Sequence, residues 1–160
     1  WALKPRLIWL LVLTLICMND TRSIFADTNY FVALFNPDDN LHLDALKWAR
    51  HFEENNIGLI ISNFIFLEVV TVLAQKRGRE VALAVGEFIS TSSQIQKIHI
   101  NPELQNISWR LFREIKKKNM SFVDCSIIAV MQSEGVRDLL TFDADFKNLY
   151  AKYRVHIVKE

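Results

Sequence analysis

Four acidic side chains in this sequence occupy positions that are unfavourable for a carboxylate. Each either follows an apolar run directly or interrupts one, and they are Asp27, Glu68, Asp124 and Asp143. Removing an ionised carboxylate from water costs free energy unless an opposite charge compensates, so the pattern favours a bound cation. Carboxylate oxygens select Mg²⁺ or Mn²⁺, and such ions can activate a water molecule for attack on a phosphodiester. The four acids therefore predict metal-dependent hydrolysis.

Each acid also has a purely structural interpretation. Asp27 and Asp143 could cap helix N-termini, and Asp124 could complement a helix dipole. Glu68 could belong to a polar stripe on an otherwise apolar helix. For any single acid this interpretation is the stronger one. Four unrelated caps, however, have no reason to converge at one edge of one sheet, so together they favour a shared site.

The elements that must position these acids follow from the hydrophobic pattern. Short apolar runs predict buried strands at 23–27, 58–62, 95–100, 138–142 and 155–158. Longer patterns predict helices at 41–54, 63–76, 79–91, 102–118 and 122–134. This alternation is typical of an α/β protein. We expect one three-layer α/β/α domain with a mainly parallel central sheet of about five strands.

That architecture places the acids at one edge. Asp27 and Asp143 follow predicted strands, at their carboxyl ends. Helices that cover a parallel sheet run antiparallel to its strands, so their N-termini gather at the same edge. Asp124 and Glu68 lie near two such N-termini. Open α/β sheets bind ligands at this edge, which predicts one acidic pocket.

Composition and motifs exclude several other chemistries. The chain has 160 residues, 51% of them hydrophobic, which is enough for one domain with a closed core, and its net charge is +1. It contains no GxSxG, HExxH, P-loop or GxGxxG motif. The two cysteines, Cys17 and Cys125, form no CxxC, which favours a reducing compartment and opposes structural zinc. The histidines form no nucleophile arrangement; they are His42, His51, His99 and His156.

The first seventeen residues form a separate segment. Lys4 and Arg6 precede an apolar run at 7–17 that imitates a signal peptide, but no small-x-small cleavage site follows. The run is also too short to span a bilayer. We expect residues 1–17 to be a non-native upstream or signal-like segment, Met18 to begin the working protein, and residues 18–160 to form the domain. An uncleaved N-terminal anchor is the competing interpretation.

Four sequence blocks resemble a known family. They are FADTN at 25–29, SNFIFLEV at 62–69, SFVDCSIIA at 121–129 and LLTFDADF at 139–146. Together they resemble a PIN domain, and their order and the chain length are similar to the VapC-type toxins of toxin–antitoxin pairs. The resemblance covers residues 22–158. Its first and last blocks are the most specific.

The resemblance implies roles for particular residues. The metal-binding acids would be Asp27, Glu68, Asp124 and Asp143, with supporting polar groups at Thr28, Asn29, Ser62 and Thr141. Asp145 offers a further carboxylate, but we favour Asp143 because it directly ends the strand. Membership would imply a cytoplasmic, Mg²⁺-dependent endoribonuclease acting on structured RNA, a homodimer, neutralisation by a small antitoxin, and no membrane partner.

Two surfaces are candidates for those partners. Residues 97–118 carry an excess of cations, of which Arg110, Arg113, Lys116 and Lys117 are candidate RNA contacts. A solvated helix face explains the same charges equally well. Trp109, beside Arg110, is expected at the margin of the core. The apolar helices at 63–74 and 81–89 favour a dimer or antitoxin contact.

Two alternatives to a ribonuclease stay open. One is another Mg²⁺-dependent phosphoryl-transfer fold, such as a receiver domain or a haloacid-dehalogenase-like phosphatase. The first usually carries a strand-end Lys and the second an Asp-x-Asp after its first strand, whereas this chain has Asn29 there and no such Lys. The other alternative is a binding module that keeps the fold without cleaving, although the chain retains all four acids.

Overall fold

A computed structural model of the chain describes residues 22–158. The expectations for residues 1–17 and for Met18 lie outside these described residues. Within the described range, no helix combines the length and the apolar character that crossing a bilayer would require.

The centre of the fold is a five-stranded, all-parallel sheet. Its strands are β1 (Ser23–Ala26), β2 (Gly58–Ser62), β3 (Ile95–Ile98), β4 (Asp138–Leu140) and β5 (His156–Ile157). They lie in the order β3-β2-β1-β4-β5. β1 is therefore central, with β2 on one side and β4 on the other. The order of the strands reverses there, which opens a crevice at the carboxyl ends of β1 and β4.

Helices connect and cover these strands. They are α1 (Thr28–Phe35), α2 (His42–Glu54), α3 (Asn63–Arg77), α4 (Arg79–Thr91), α5 (Pro102–Glu114), α6 (Phe122–Glu134) and α7 (Tyr150–Tyr153), with a 3₁₀ helix at Ala144–Asn148. α3 packs on α4, α5 packs on α6, and α1 contacts both α2 and α3. The predicted three-layer α/β class is confirmed.

Several elements differ from the prediction. β3 and β4 end two residues earlier than predicted, and α1, α7 and the 3₁₀ helix were not among the predicted helices. The sequence of α1, TNYFVALF, is apolar after its first two residues and shows no clear alternation of apolar and polar faces. The helix predicted at 102–118 is wrong at its end: α5 stops at Glu114 and Ile115 turns to extended backbone (φ −81°, ψ 103°). In a longer helix Arg113 would lie three and four residues from Lys116 and Lys117, and like charges at these intervals disfavour further helix.

The core supports the edge of the sheet where the acids lie. α6 is buried over its seven central residues, from Cys125 to Met131. β1 is buried from Ile24 to Ala26 and packs with the apolar residues of β2 and β4 in the same core. Since β1 ends and α6 begins at the carboxyl edge, the polar groups there are attached to elements that are anchored in the core.

Candidate active site

A cleft of about 390 Å³ opens at the carboxyl edge of the sheet, and all four predicted acids line it. Asp27 comes from the end of β1, Glu68 from α3, Asp124 from the start of α6 and Asp143 from the segment after β4. Thr28, Asn29 and Ser121 line the same cleft. The convergence that parallel topology predicted is therefore present in the structure, while the catalytic roles of these residues stay predictions.

Asp27 is both a helix cap and the most buried acid of the cleft, with 5% of its surface exposed. Its Oδ1 accepts a hydrogen bond from the backbone N–H of Thr28 (2.6 Å), which caps α1. Its Oδ2 accepts from Asn29 Nδ2 (2.7 Å) and from Thr141 Oγ1 (2.7 Å). The capping interpretation and the site interpretation are thus compatible for this residue.

Asn29 and Thr141 join the ends of β1 and β4. Asn29 donates from Nδ2 to Thr141 Oγ1 (3.0 Å), and its Oδ1 accepts from the backbone N–H of Phe142 (3.1 Å). Thr141 Oγ1 also accepts from the backbone N–H of Asp143 (3.0 Å). One small network therefore positions Asp27 and Asp143 relative to each other.

The two other predicted supporting residues act on α3. Thr28 donates from Oγ1 to Glu68 Oε2 (2.5 Å), which fixes the Glu68 carboxylate against the start of α1. Ser62 is fully buried and caps α3 by accepting from the backbone N–H of Ile65 (3.2 Å). Ser62 does not line the cleft. Its contribution is to begin the helix that carries Glu68.

Asp124 and Asp143 are also held by capping bonds. Asp124 accepts from the backbone N–H of Ser121 (2.7 Å), and Ser121 Oγ accepts from the backbone N–H of Asp124 (3.1 Å), which makes a capping box at the start of α6. Asp143 Oδ1 accepts from the backbone N–H of Asp145 (2.7 Å). The sequence spacing Ser-x-x-Asp predicts the first of these bonds.

Asp145 has a different environment from Asp143. Its carboxylate pairs with Lys117 (2.9 Å), and Lys117 also donates to the backbone carbonyl of Asp145 (2.5 Å). The hydrogen bond from Lys117 holds the pKa of Asp145 below its usual value. Asp145 does not line the cleft, whereas Asp143 does. This placement supports the choice of Asp143 as the fourth acid.

Comparison with known proteins identifies the family that shares this fold. The family model for the PIN domain matches residues 24–152. The chain belongs to the PIN domain family. The predicted family is confirmed, and the receiver and haloacid-dehalogenase-like alternatives are excluded.

Individual relatives of this PIN domain are also similar in sequence and fold. It is 30% identical over 124 residues to the 23S rRNA-specific endonuclease VapC20 of Mycobacterium tuberculosis, covering 77% of this chain and 91% of that protein. The crystal structure of that sarcin–ricin loop cleaving toxin has a TM-score of 0.70 at 28% identity, covering 78% of this chain and 92% of that one. VapBC2 from Rickettsia felis, solved with a promoter DNA fragment, is similar in fold, with a TM-score of 0.60 at 16% identity. The match covers 85% of this chain and 97% of that one.

Burial and like charge dominate the electrostatics of the PIN-domain cleft. Desolvation by burial raises the pKa of Asp27 to about 7, against the lowering effect of the Thr141 hydrogen bond, and the charges of Asp124 and Glu68 raise it further. Burial is also the main cause that raises the pKa of Asp124, with added repulsion from Asp143 and Glu68. A cation in the cleft would relieve both penalties.

The cleft of this PIN domain fits a hydrated divalent ion. Within residues 22–158, no three His, Cys, Asp or Glu side chains stand close enough together to hold one ion directly. Mg²⁺ commonly keeps several waters and contacts only one or two protein carboxylates, so direct contact with three is not required. Burial, and after it the charges of neighbouring carboxylates, raise the pKa values of Asp27 and Asp124, and a bound cation would offset both effects. The donor set therefore suits Mg²⁺ or Mn²⁺ in chemistry and in charge.

The candidate RNA contacts of this PIN domain fall into two groups in the structure. Arg110, Arg113 and Lys116 line a separate surface depression with Trp109 and Phe112, outside the acidic cleft. Lys117 pairs with Asp145, so its predicted availability for RNA is not supported. Trp109 is 53% exposed and stacks on Phe112 with ring centroids 6.0 Å apart, which places it outside the core.

Sequence reasoning missed the far end of the PIN-domain cleft. That end is lined by Val32, Asp39, Leu41, Val72 and Lys76. A helical signal was available for two of them, since Glu68, Val72 and Lys76 follow at intervals of four residues on α3. No local signal placed the loop before α2 opposite this face.

Proposed function

We propose that this PIN domain is an Mg²⁺- or Mn²⁺-dependent endoribonuclease that hydrolyses RNA phosphodiester bonds in the cytoplasm, as the toxin of a type II toxin–antitoxin pair. The observation that carries the proposal is the meeting of Asp27, Glu68, Asp124 and Asp143 in one cleft. The enzyme class agrees with the sequence-based prediction, because the chain belongs to a nuclease family and a relative with 30% identity is an endonuclease.

The proposed mechanism assigns roles to groups of the cleft. Asp27, Glu68, Asp124 and Asp143 would hold the metal ion directly or through water. The bound ion would supply an activated water and compensate negative charge on the phosphate. Thr28, Asn29 and Thr141 would keep the carboxylates oriented through the bonds described above, so that little reorganisation is needed when substrate binds.

The cleft contains neither a thiol nor an imidazole of the described residues, and its two hydroxyl side chains, Thr28 and Ser121, already form hydrogen bonds to Glu68 and to the start of α6. The thiol of Cys125 is buried, and burial raises its pKa to about 11. A thiol in that state is a poor nucleophile. These facts support attack by water.

The function is tested by metal removal. EDTA-treated protein is expected to lose RNA cleavage, and excess Mg²⁺ or Mn²⁺ is expected to restore it, because carboxylates without a metal ion leave the negative charge of the phosphate and of the leaving oxygen uncompensated. The measurement is the appearance of new RNA ends after incubation with total cellular RNA. Cleavage by the EDTA-treated protein at the rate of the metal-loaded form would contradict the mechanism. No cleavage under any condition would favour the silent binding module.

The partners belong to the same proposal. We propose a homodimer and a small antitoxin, supported by exposed apolar side chains on three helices. Leu67 on α3 and Leu83 and Phe88 on α4 are exposed. Trp109 and Phe112 on α5 form an exposed aromatic cluster with Phe64 and Phe122. Exposed aromatic residues are enriched at protein interfaces, so we assign this cluster to the contact between two copies.

Two variants of α5 separate protein contact from RNA contact. Trp109→Ala is expected to lower the molar mass in solution from dimer to monomer. The double variant Arg110→Gln/Arg113→Gln is expected to leave the mass unchanged but to flatten the salt dependence of RNA binding. The measurements are light scattering and RNA affinity across a salt series. An unchanged mass for Trp109→Ala would remove the dimer assignment, and an unchanged salt slope would leave the two arginines as a solvated face.

A further inference from the structure

The acidic cleft is longer than its catalytic cluster. Beyond the four acids, the cleft continues between α3 and the loop that joins α1 to α2. One wall is formed by Val72 and Lys76 of α3, and the other by Asp39 and Leu41 of the loop. This extension has a different chemistry from the acidic part, because it combines apolar side chains with a cation.

The loop that forms the second wall is firmly held. The backbone N–H of Asp39 donates to the carbonyl of Asn36 (2.9 Å), and Asp39 Oδ1 accepts from the backbone N–H of Leu41 (3.0 Å). Arg77, at the end of α3, pairs with Asp38 of the loop (2.6 Å). This exposed ion pair joins the two walls without a bound ligand.

Lys76 is the basic residue of the cleft, and its charge is available. Five carboxylates line the same cleft: Asp27, Asp39, Glu68, Asp124 and Asp143. Lys76 nevertheless has no ion-pair partner among the residues that the structure describes, whereas its neighbour Arg77 is paired. A polyanion entering a cleft with five carboxylates meets repulsion that only a cation or a metal ion can offset.

The spacing along α3 separates Lys76 from the catalytic acids. Lys76 lies eight residues after Glu68, which is roughly 12 Å along a helix axis. About two turns of helix thus separate Lys76 from Glu68, and this separation suits a phosphate further along the same strand than the one on which the acids act. Between the two positions, Val72 and Leu41, the latter 37% exposed, present apolar surface to a sugar or base.

We propose that this extension is a subsite for a nucleotide that flanks the scissile phosphate, with Lys76 as the positioning residue that binds the flanking phosphate. Val72 and Leu41 contact the nucleoside of that unit. The inference rests on the proposed ribonuclease function and adds to it a requirement for RNA on one side of the cleavage point. It also explains why a loop far from the chemistry is held against the end of α3.

The kinetic test uses Lys76→Gln, with Lys76→Arg as the charge-conserving variant. Lys47→Gln is the matched control, since Lys47 lies on α2, pairs with Asp44 and does not line the cleft. On an oligoribonucleotide spanning a mapped cleavage point, Lys76→Gln is expected to raise KM about threefold to tenfold at unchanged kcat. Lys76→Arg and Lys47→Gln are expected to match the wild-type protein. Truncating the oligoribonucleotide on the flanking side should abolish the difference.

A binding test separates failure of the subsite from failure of the proposed function. In an Asp124→Asn background, which removes turnover, Lys76→Gln is expected to lower the salt slope of affinity for a short single-stranded oligoribonucleotide by about 0.7. An unchanged KM together with an unchanged slope would overturn the subsite even if the wild-type protein cleaves RNA. A fall in kcat at constant KM would also overturn it, because Lys76 would then act at the chemical step. Absence of cleavage by the wild-type protein would instead refute the ribonuclease proposal.

Discussion

Asp124→Asn is expected to lower the rate of RNA cleavage by a factor on the order of 10²–10³ or more, while the metal-free protein stays as stable as before or becomes more stable. The substitution replaces a charged carboxylate, which would bind the metal ion, by a neutral amide. The amide oxygen of Asn can still accept the bond from the backbone N–H of Ser121, so the start of α6 remains capped. Removing one charge also relieves repulsion from Asp143 and Glu68.

The measurements for this variant are cleavage rate and melting temperature in metal-free buffer. Ser121→Ala is the matched control, because it breaks the other half of the same capping box and leaves the carboxylate in place. That control is expected to lose about 1 kcal/mol of stability and to keep most of its activity. A drop of many degrees in the melting temperature of Asp124→Asn would mean that the carboxylate serves mainly as a helix cap.

Without metal, the stability of the domain is expected to fall as pH rises from 5 to 8. The pKa of Asp27 is raised from 3.8 to about 7 in the folded protein, so the folded state binds more protons than the unfolded state between these values. The associated stability is fully present below pH 4 and is lost as pH rises through 7. The difference is on the order of 4 kcal/mol for a group this buried. Asp124 contributes with the same sign.

Urea unfolding of EDTA-treated protein at several pH values measures this dependence. Asp27→Asn is expected to flatten this pH dependence because the amide does not titrate. Since its Nδ2 replaces the oxygen that accepts from Asn29 and Thr141, the comparison with the wild-type protein is made on the pH slope and not on absolute stability. Saturating Mg²⁺ is expected to stabilise the wild-type protein at pH 8 more than the variant. A stability that rises between pH 5 and 8 in the wild-type protein would show that the cleft carboxylates are not destabilising.

Local sequence alone determined the outline of the site. The predicted strands, four to six residues long and alternating with helices, allow few arrangements other than a parallel sheet, and a parallel sheet brings Asp27 and Asp143 to one edge. The position of Asp124 followed in the same way, because Ser121 three residues earlier signals a helix start. These inferences succeeded because each depends on contacts within one strand, one helix end or one repeated connection.

Tertiary structure decided the features that depend on segments far apart in the chain. α1 is helical although its sequence shows no clear alternation of apolar and polar faces, because it is packed between α2 and α3. Asp145 pairs with Lys117, a residue 28 positions away, and Asp143 is the one of the two acids that lines the cleft.

The far end of the cleft is the clearest case of this kind. Lys76 and Leu41 line the same cleft there, and the pair of Arg77 with Asp38 joins α3 to a loop 39 positions away. The sequence by itself determined which chemistry this protein carries, since residue types and strand ends are local properties. Only the folded chain decided which carboxylate, which lysine and which wall complete the cleft. The reason is that the energies of ion pairs and of burial depend on distances between segments, and no local pattern encodes those distances.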